Sequence, residues 1–290
     1  MSDSAGRDRD AAETESAFAH PAVAPDGSAS YGSHPDQVID FFAPRDGRTG
    51  VPLVVLLHGG AWRAPYDRQH VSPFADFLAR RGFAVASVEY RRGGEIPRQG
   101  AAGPVAGRWP ETFDDVAAAM DALPALVARE LPGADPRRTV VTGHSAGGQL
   151  ALWAAARHVL PKGSPWRLPA APALRGVVAL APIGDFASAV ELDVCSGALH
   201  QLLGADDFEA RSAHVDPALL LPTGIATAVV QGVEDTTVPQ AVTEAFVDAA
   251  AKAGEMVGLT LLDGVGHFPL IDPAVDACAV VAEEIAQLAW

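Results

Sequence analysis

Apolar runs of four to eight residues alternate with segments of helical period along most of this 290-residue chain. The runs at 37–44, 51–60, 83–90, 139–143, 175–182, 224–232 and 257–264 read as strands. Between or after them, 70–82, 110–130, 146–158, 240–254 and 272–290 read as helices, with Pro124 expected to kink the second. Strand alternating with helix predicts an α/β fold: a mostly parallel central sheet with helices on both faces. An antiparallel pair is expected to precede it. At this length, with 49% hydrophobic residues, one large core is sufficient.

The segment 1–30 is polar, charged and rich in small residues, and is expected to be a flexible arm. It has no apolar h-region and does not read as a secretory signal. The net charge of −15 disfavours a phosphate backbone as partner, and no basic amphipathic run suggests a membrane surface. Cys195 and Cys278 are far apart, which fits reduced buried thiols and a cytoplasmic setting.

Parallel α/β sheets bind ligands beyond the carboxyl ends of their strands. There the chain carries "HGGAW" (58–62), "GHSAGG" (143–148), "GVEDTTVP" (232–239) and "GVGHF" (264–268). Gly143-His144-Ser145-Ala146-Gly147 is GxSxG between a strand and a helix, the context of a nucleophile elbow. Side chains beside Ser145 would collide with the adjacent strand and helix, so glycines flank it.

A serine hydroxyl needs a base, and the base needs an orienting acid; in this topology they follow in the order Ser, acid, His. Of the downstream histidines His158, His200, His214 and His267, the last sits after the final strand, where the base belongs. Asp235 is the expected acid, with Glu234 its neighbouring competitor and Asp263 and Asp272 as rivals. The oxyanion donors are expected from Ala146 and from Gly60 and Ala61, with Gly59 as an alternative. His58 and His144 are expected to bond their own loops.

These four motifs, in this order, resemble the α/β-hydrolase superfamily over residues 31–290. "HGGAW" with "GHSAGG" is similar to the kynurenine formamidase and small carboxylesterase branch, with Ala61 where related esterases often carry a third glycine. The resemblance implies a cofactor-free serine hydrolase acting on a small-molecule ester or aryl formamide. A non-catalytic ligand-binding member, or a small peptidase, is the alternative.

Residues 183–224 are the expected lid or pocket insertion, too short for an independent cap domain. The Gly-rich stretch 91–109 is expected to rim the pocket, with Trp62 and Trp109 stacking on an aryl group at its mouth. The sequence contains no HExxH, Cys/His ligand spacing or P-loop, so neither metal nor nucleotide is expected. The residues leave the oligomeric state open, a homodimer included.

Overall fold

β-Branched and leucine-rich runs without polar interruption cannot face water on either side, and the structure buries them between two helical layers. The computed structural model describes residues 2–93, 106–107 and 109–290. In chain order the elements begin with α1 (Ser2–Ala19), β1 (Gly27–Ser30), β2 (Val38–Phe42), β3 (Val51–Leu57), α2 (Ser72–Arg80) and β4 (Ala84–Val88). They continue with α3 (Glu111–Glu130), β5 (Ala134–His144), α4 (Ala146–Ala156), β6 (Gly176–Leu180), α5 (Phe186–Glu191), α6 (Ala198–Leu203) and α7 (Phe208–Val215). The chain closes with β7 (Thr227–Gly232), α8 (Gln240–Lys252), β8 (Val257–Leu262) and α9 (Asp276–Ala289).

Among the described residues one sheet runs β1-β2-β4-β3-β5-β6-β7-β8. The β1–β2 and β2–β4 pairs are antiparallel, and the other pairs are parallel. This is the α/β-hydrolase architecture that the sequence predicts.

All seven residues of β3 are buried, as the run "VPLVVLL" demands. One core packs α3 and α4 on one face of the sheet; the other packs α2 and α9 on the opposite face. Every residue of α4 is buried, so the helix behind Ser145 is hydrophobic all round rather than amphipathic. Pro124 lies inside an α3 that runs unbroken for 20 residues. Among the described residues no helix is long and apolar enough to cross a membrane.

One expectation is corrected. Residues 2–19 form a helix and 27–30 a strand, where a flexible arm is expected for 1–30. Low hydrophobicity misleads here, because α1 is held by polar contacts rather than by an apolar stripe. Arg9 pairs with Glu234 at 3.3 Å, and Glu13 accepts from the Gly266 N–H at 3.1 Å. Ser16 and His20 reach Asp272 at 2.6 and 2.7 Å. The insertion at 183–224 holds α5, α6 and α7 and a 3-10 turn over Pro217–Leu220. Leu199, Leu202, Leu203, Val215 and Leu220 anchor it in the core.

Candidate active site

The elbow is made by the register of the central strands. Gly143 pairs with Leu57 and His144 with Leu180, which brings the ends of β3, β5 and β6 together beneath one surface. The chain then turns within one residue. Ser145 adopts φ 58°, ψ −120°, a left-handed conformation that side-chain-bearing residues avoid. The turn presses α4 against β3: a Cβ on Gly147 would lie 2.1 Å from the Leu57 carbonyl oxygen. One on Gly143 would lie 2.2 Å from the Gly147 oxygen. Glycine is therefore a steric requirement at both positions.

His267 enters from the loop after β8 and Asp235 from the loop after β7. Their side chains meet with Nδ1 to Oδ2 at 2.6 Å, both residues being buried. Asp235 is locked in turn: Oδ1 accepts from the Thr237 and Val238 N–H groups, each at 2.8 Å, and Oδ2 from Gln231 at 3.2 Å. A carboxylate so satisfied fixes the His267 tautomer with its proton on Nδ1, leaving Nε2 free to accept. The rival acids are engaged elsewhere. Glu234 is exposed and paired with Arg9, Asp263 is exposed, and Asp272 binds Ser16 and His20.

Ser145 and His267 line a cavity of about 280 Å3, together with Gly60, Ala61, Arg63, Tyr66, His70, His144, Cys195, Thr237, Phe268 and Phe18 from α1. Among the described residues the N–H groups of Gly60, Ala61 and Ala146 have no acceptor in the protein. Gly59 packs under the elbow, where a Cβ would lie 2.7 Å from the His144 carbonyl oxygen. A larger apolar hollow of about 360 Å3 beside Met120, Pro124 and Leu168 contains none of Ser145, Asp235 or His267.

The two flanking histidines differ from each other. His58 bonds the Gly59 carbonyl of its own loop at 2.9 Å, as expected, and also Glu89 at 2.9 Å. Burial alone would raise the Glu89 carboxyl, but His58 and Arg92 outweigh it and hold it down to about 2. His144 instead donates from Nε2 to the carbonyl of His267, 2.9 Å away on the loop after β8. Burial, reinforced by His267, pushes the His144 imidazole well below its ordinary value, so it braces that loop as a neutral donor.

The aromatic mouth is not where the sequence suggests. Trp62 is fully buried, because Ala61 and Trp62 are both left-handed, at φ 50° and 55°, and this rolls the indole into the core. Trp109 stacks edge-to-face on Phe113 and Trp166, away from the cavity. The rings that line the cavity are Phe18, Tyr66 and Phe268. Adjacency to "HGGAW" points to the wrong aromatic, since backbone handedness, not sequence distance, sets the direction. Residues 94–105 and 108 of the expected rim lie outside the described residues.

The chain matches the BD-FAE family over residues 39–249, which spans the elbow and the acid loop. It belongs to that family. A probable isoprenylcysteine alpha-carbonyl methylesterase of Oryza sativa subsp. japonica is 29% identical over 282 residues, 89% of this chain and 61% of that protein. A probable carboxylic ester hydrolase of Mycobacterium tuberculosis, LipM, is 30% identical over 133 residues, 45% of this chain and 28% of that one. The chain thus spans about three fifths of the length of the first of these relatives. Among solved structures, esterase B from Lactobacillus rhamnosis superposes with a TM-score of 0.75 at 19% identity, covering 98% of this chain and 92% of that one. A truncated carbohydrate esterase from gut microbiota superposes at 0.72 and 18%, covering 93% and 99%. These likenesses establish the shared fold.

Proposed function

We propose that this BD-FAE family member is a serine hydrolase that cleaves carboxylic esters by acyl transfer to water. The observation that carries the reading is the 2.6 Å Asp235–His267 contact in a cavity that also holds Ser145 on its strained turn. In the proposed sequence, His267 Nε2 takes the Ser145 proton as Oγ attacks the acyl carbon. The Gly60, Ala61 and Ala146 N–H groups hold the oxyanion. His267 then returns the proton to the leaving oxygen, and water repeats the cycle on the acyl-serine. Asp235 accepts from Nδ1 throughout and holds the imidazole in register.

The finer reading is a preference for small acyl groups, formyl included, which extends to aryl formamides. A cavity of about 280 Å3 lies at the small end of ligand pockets and supports it. The likeness of "HGGAW" to formamidases supports it as well. The ester-cleaving names of the relatives favour hydrolysis over a non-catalytic role.

The test uses p-nitrophenyl esters of rising chain length beside N-formylkynurenine, with Ser145→Ala as the control. Acetyl and butyryl esters should turn over fastest. The alanine variant should fold normally and lose on the order of 10⁴-fold or more. A fluorophosphonate probe should label Ser145 alone. Robust turnover by the alanine variant would remove the nucleophile assignment, and faster hydrolysis of dodecanoyl than acetyl esters would remove the small-acyl one.

A further inference from the structure

The double left-handed step at Ala61 and Trp62 that buries the indole also turns the next side chain, Arg63, into the cavity beside Ser145 and His267. Its guanidinium is poorly matched by the protein. One terminal nitrogen donates to the Cys195 carbonyl at 2.6 Å, with the Ser196 carbonyl at the long limit of 3.5 Å. Its Nε is buried without an acceptor. Among the described residues no carboxylate lies within ion-pair distance of Arg63.

Neighbouring arginines are treated differently. Arg68 pairs with Asp40 at 2.6 Å and with Glu89 at 3.5 Å, Arg92 pairs with Glu89, and Arg9 with Glu234. The chain has a net charge of −15 and carboxylates in excess, yet none of the described ones pairs with this cation. Two of the cavity's histidines do not replace it: burial, with His58 beside it, pushes His70 down to about 3, and burial keeps His144 neutral. Arg63 is therefore the permanent charge among the described lining residues.

A guanidinium held through one terminal nitrogen to backbone carbonyls still has the N–H groups of its two terminal nitrogens to offer as a planar fork. That fork matches a carboxylate better than any neutral acceptor, and partial exclusion of water strengthens the pairing. The rings of Phe18, Tyr66 and Phe268 supply apolar surface for the carbon skeleton between carboxylate and scissile bond.

We propose that the site selects substrates bearing a carboxylate in addition to the scissile acyl bond, and that Arg63 is the residue that binds it. The inference rests on the ester-hydrolase reading for its turnover arm and on Arg63 alone for its binding arm.

The turnover arm compares two matched pairs: 4-acetoxybenzoate with 4-acetoxybenzamide, and monomethyl adipate with methyl hexanoate. In at least one pair the carboxylated member should have a kcat/KM higher on the order of 10- to 100-fold, the range of a charge-assisted hydrogen-bonded contact. Arg63→Met should bring that ratio close to one, and Arg63→Lys should restore part of it. Were Arg63 only a tether for the Cys195 loop, the methionine change would depress both members together and leave the ratio intact, which would overturn the proposal.

The binding arm uses the Ser145→Ala protein, in which ligands persist. Benzoate and monomethyl adipate should raise its melting temperature with saturation, benzamide and methyl hexanoate should not, and Arg63→Met should abolish the difference. If no ester turned over in the wild type, the hydrolase reading would fall while this arm still decided on Arg63. Equal stabilisation by anion and neutral ligand, with no carboxylate preference in either pair, would overturn the proposal.

Discussion

The elbow and the wall of this cavity are built in opposite ways. Gly143, Ser145 and Gly147 lie within five residues of chain, and their geometry follows from strand register and backbone sterics. The wall is assembled from residues far apart: Phe18 from α1, Tyr66 and His70 from the loop before α2, and Cys195 from the insertion. The elbow is stiff because neighbouring backbone leaves it no alternative. The wall stands because polar contacts between distant loops happen to be satisfied together. On the proposed function, chemistry and selectivity thus fall to structures of unequal rigidity, and substitutions should separate them.

The sharpest separation is expected at adjacent carboxylates. Asp235→Asn leaves shape and most hydrogen bonds in place but offers the wrong partner to His267. It should lower kcat on the order of 10³- to 10⁴-fold with the melting temperature nearly unchanged. Glu234→Gln removes only the exposed contact to Arg9 and should change kcat by less than about threefold, since such surface pairs contribute little. Steady-state kinetics of the two variants check this; a worse defect in the Glu234 variant would mean that the acid is misassigned.

A smaller effect is expected at Phe18, whose ring meets Phe268 at 5.2 Å and His70 at 5.7 Å. It is 36% exposed, so Phe18→Ala should cost little stability. It opens the cavity, and KM for small esters should rise about three- to tenfold while kcat holds, because only uniform binding is lost. An equal fall in kcat would show that α1 also aligns the reacting groups.

The smallest effect concerns stability and lies in the insertion that supplies Cys195 to the wall. Burial pushes the Asp216 carboxyl, which caps the 3-10 turn at the Ala218 N–H, up to about 7. Above about pH 4 the unfolded chain gives up this proton while the folded chain keeps it. The stabilisation is thus complete below pH 4 and is lost as pH rises to 7. Asp216→Asn retains the acceptor and stays neutral. It should match the wild type near pH 4 and melt higher at pH 8, by about 2–4 °C for each kcal/mol regained. Melting curves across pH 4–8 check this, and no difference at pH 8 would remove the buried-charge account.

The same contrast explains what could be read from the sequence. Strands such as "VPLVVLL" are buried on both sides, so their hydropathy alone declares them, and the glycines around Ser145 declare the turn. His267 and Asp235 follow from strand order. What could not be read depends on long-range docking or on a single backbone angle. The segment "RDAAETESAFA" reads as solvated because α1 is secured by ion pairs and hydrogen bonds to loops some 220 to 250 residues later. Its helix-forming Ala and Glu content, with Arg9 four residues before Glu13, was the available signal. Trp62 turns into the core, and Arg63 lines the cavity in its place, because two successive residues are left-handed.

The Glu13–Gly266 contact spans 253 positions, and Ser16–Asp272 spans 256. As the polypeptide is synthesised, β3, β5 and β6 can pair and set the serine turn well before residue 266 leaves the ribosome. The cavity mouth cannot close until that late segment has emerged and α1 has found it. The delay carries little thermodynamic penalty, since loop-closure entropy grows by only about 0.6 kcal/mol for each doubling of length. The expected consequence is kinetic: the Ser145 turn forms early in folding and the Phe18 side of the cavity among the last. Because α1 is tied to those loops mainly by polar contacts, it is expected to open under denaturant at a lower cost than the buried sheet.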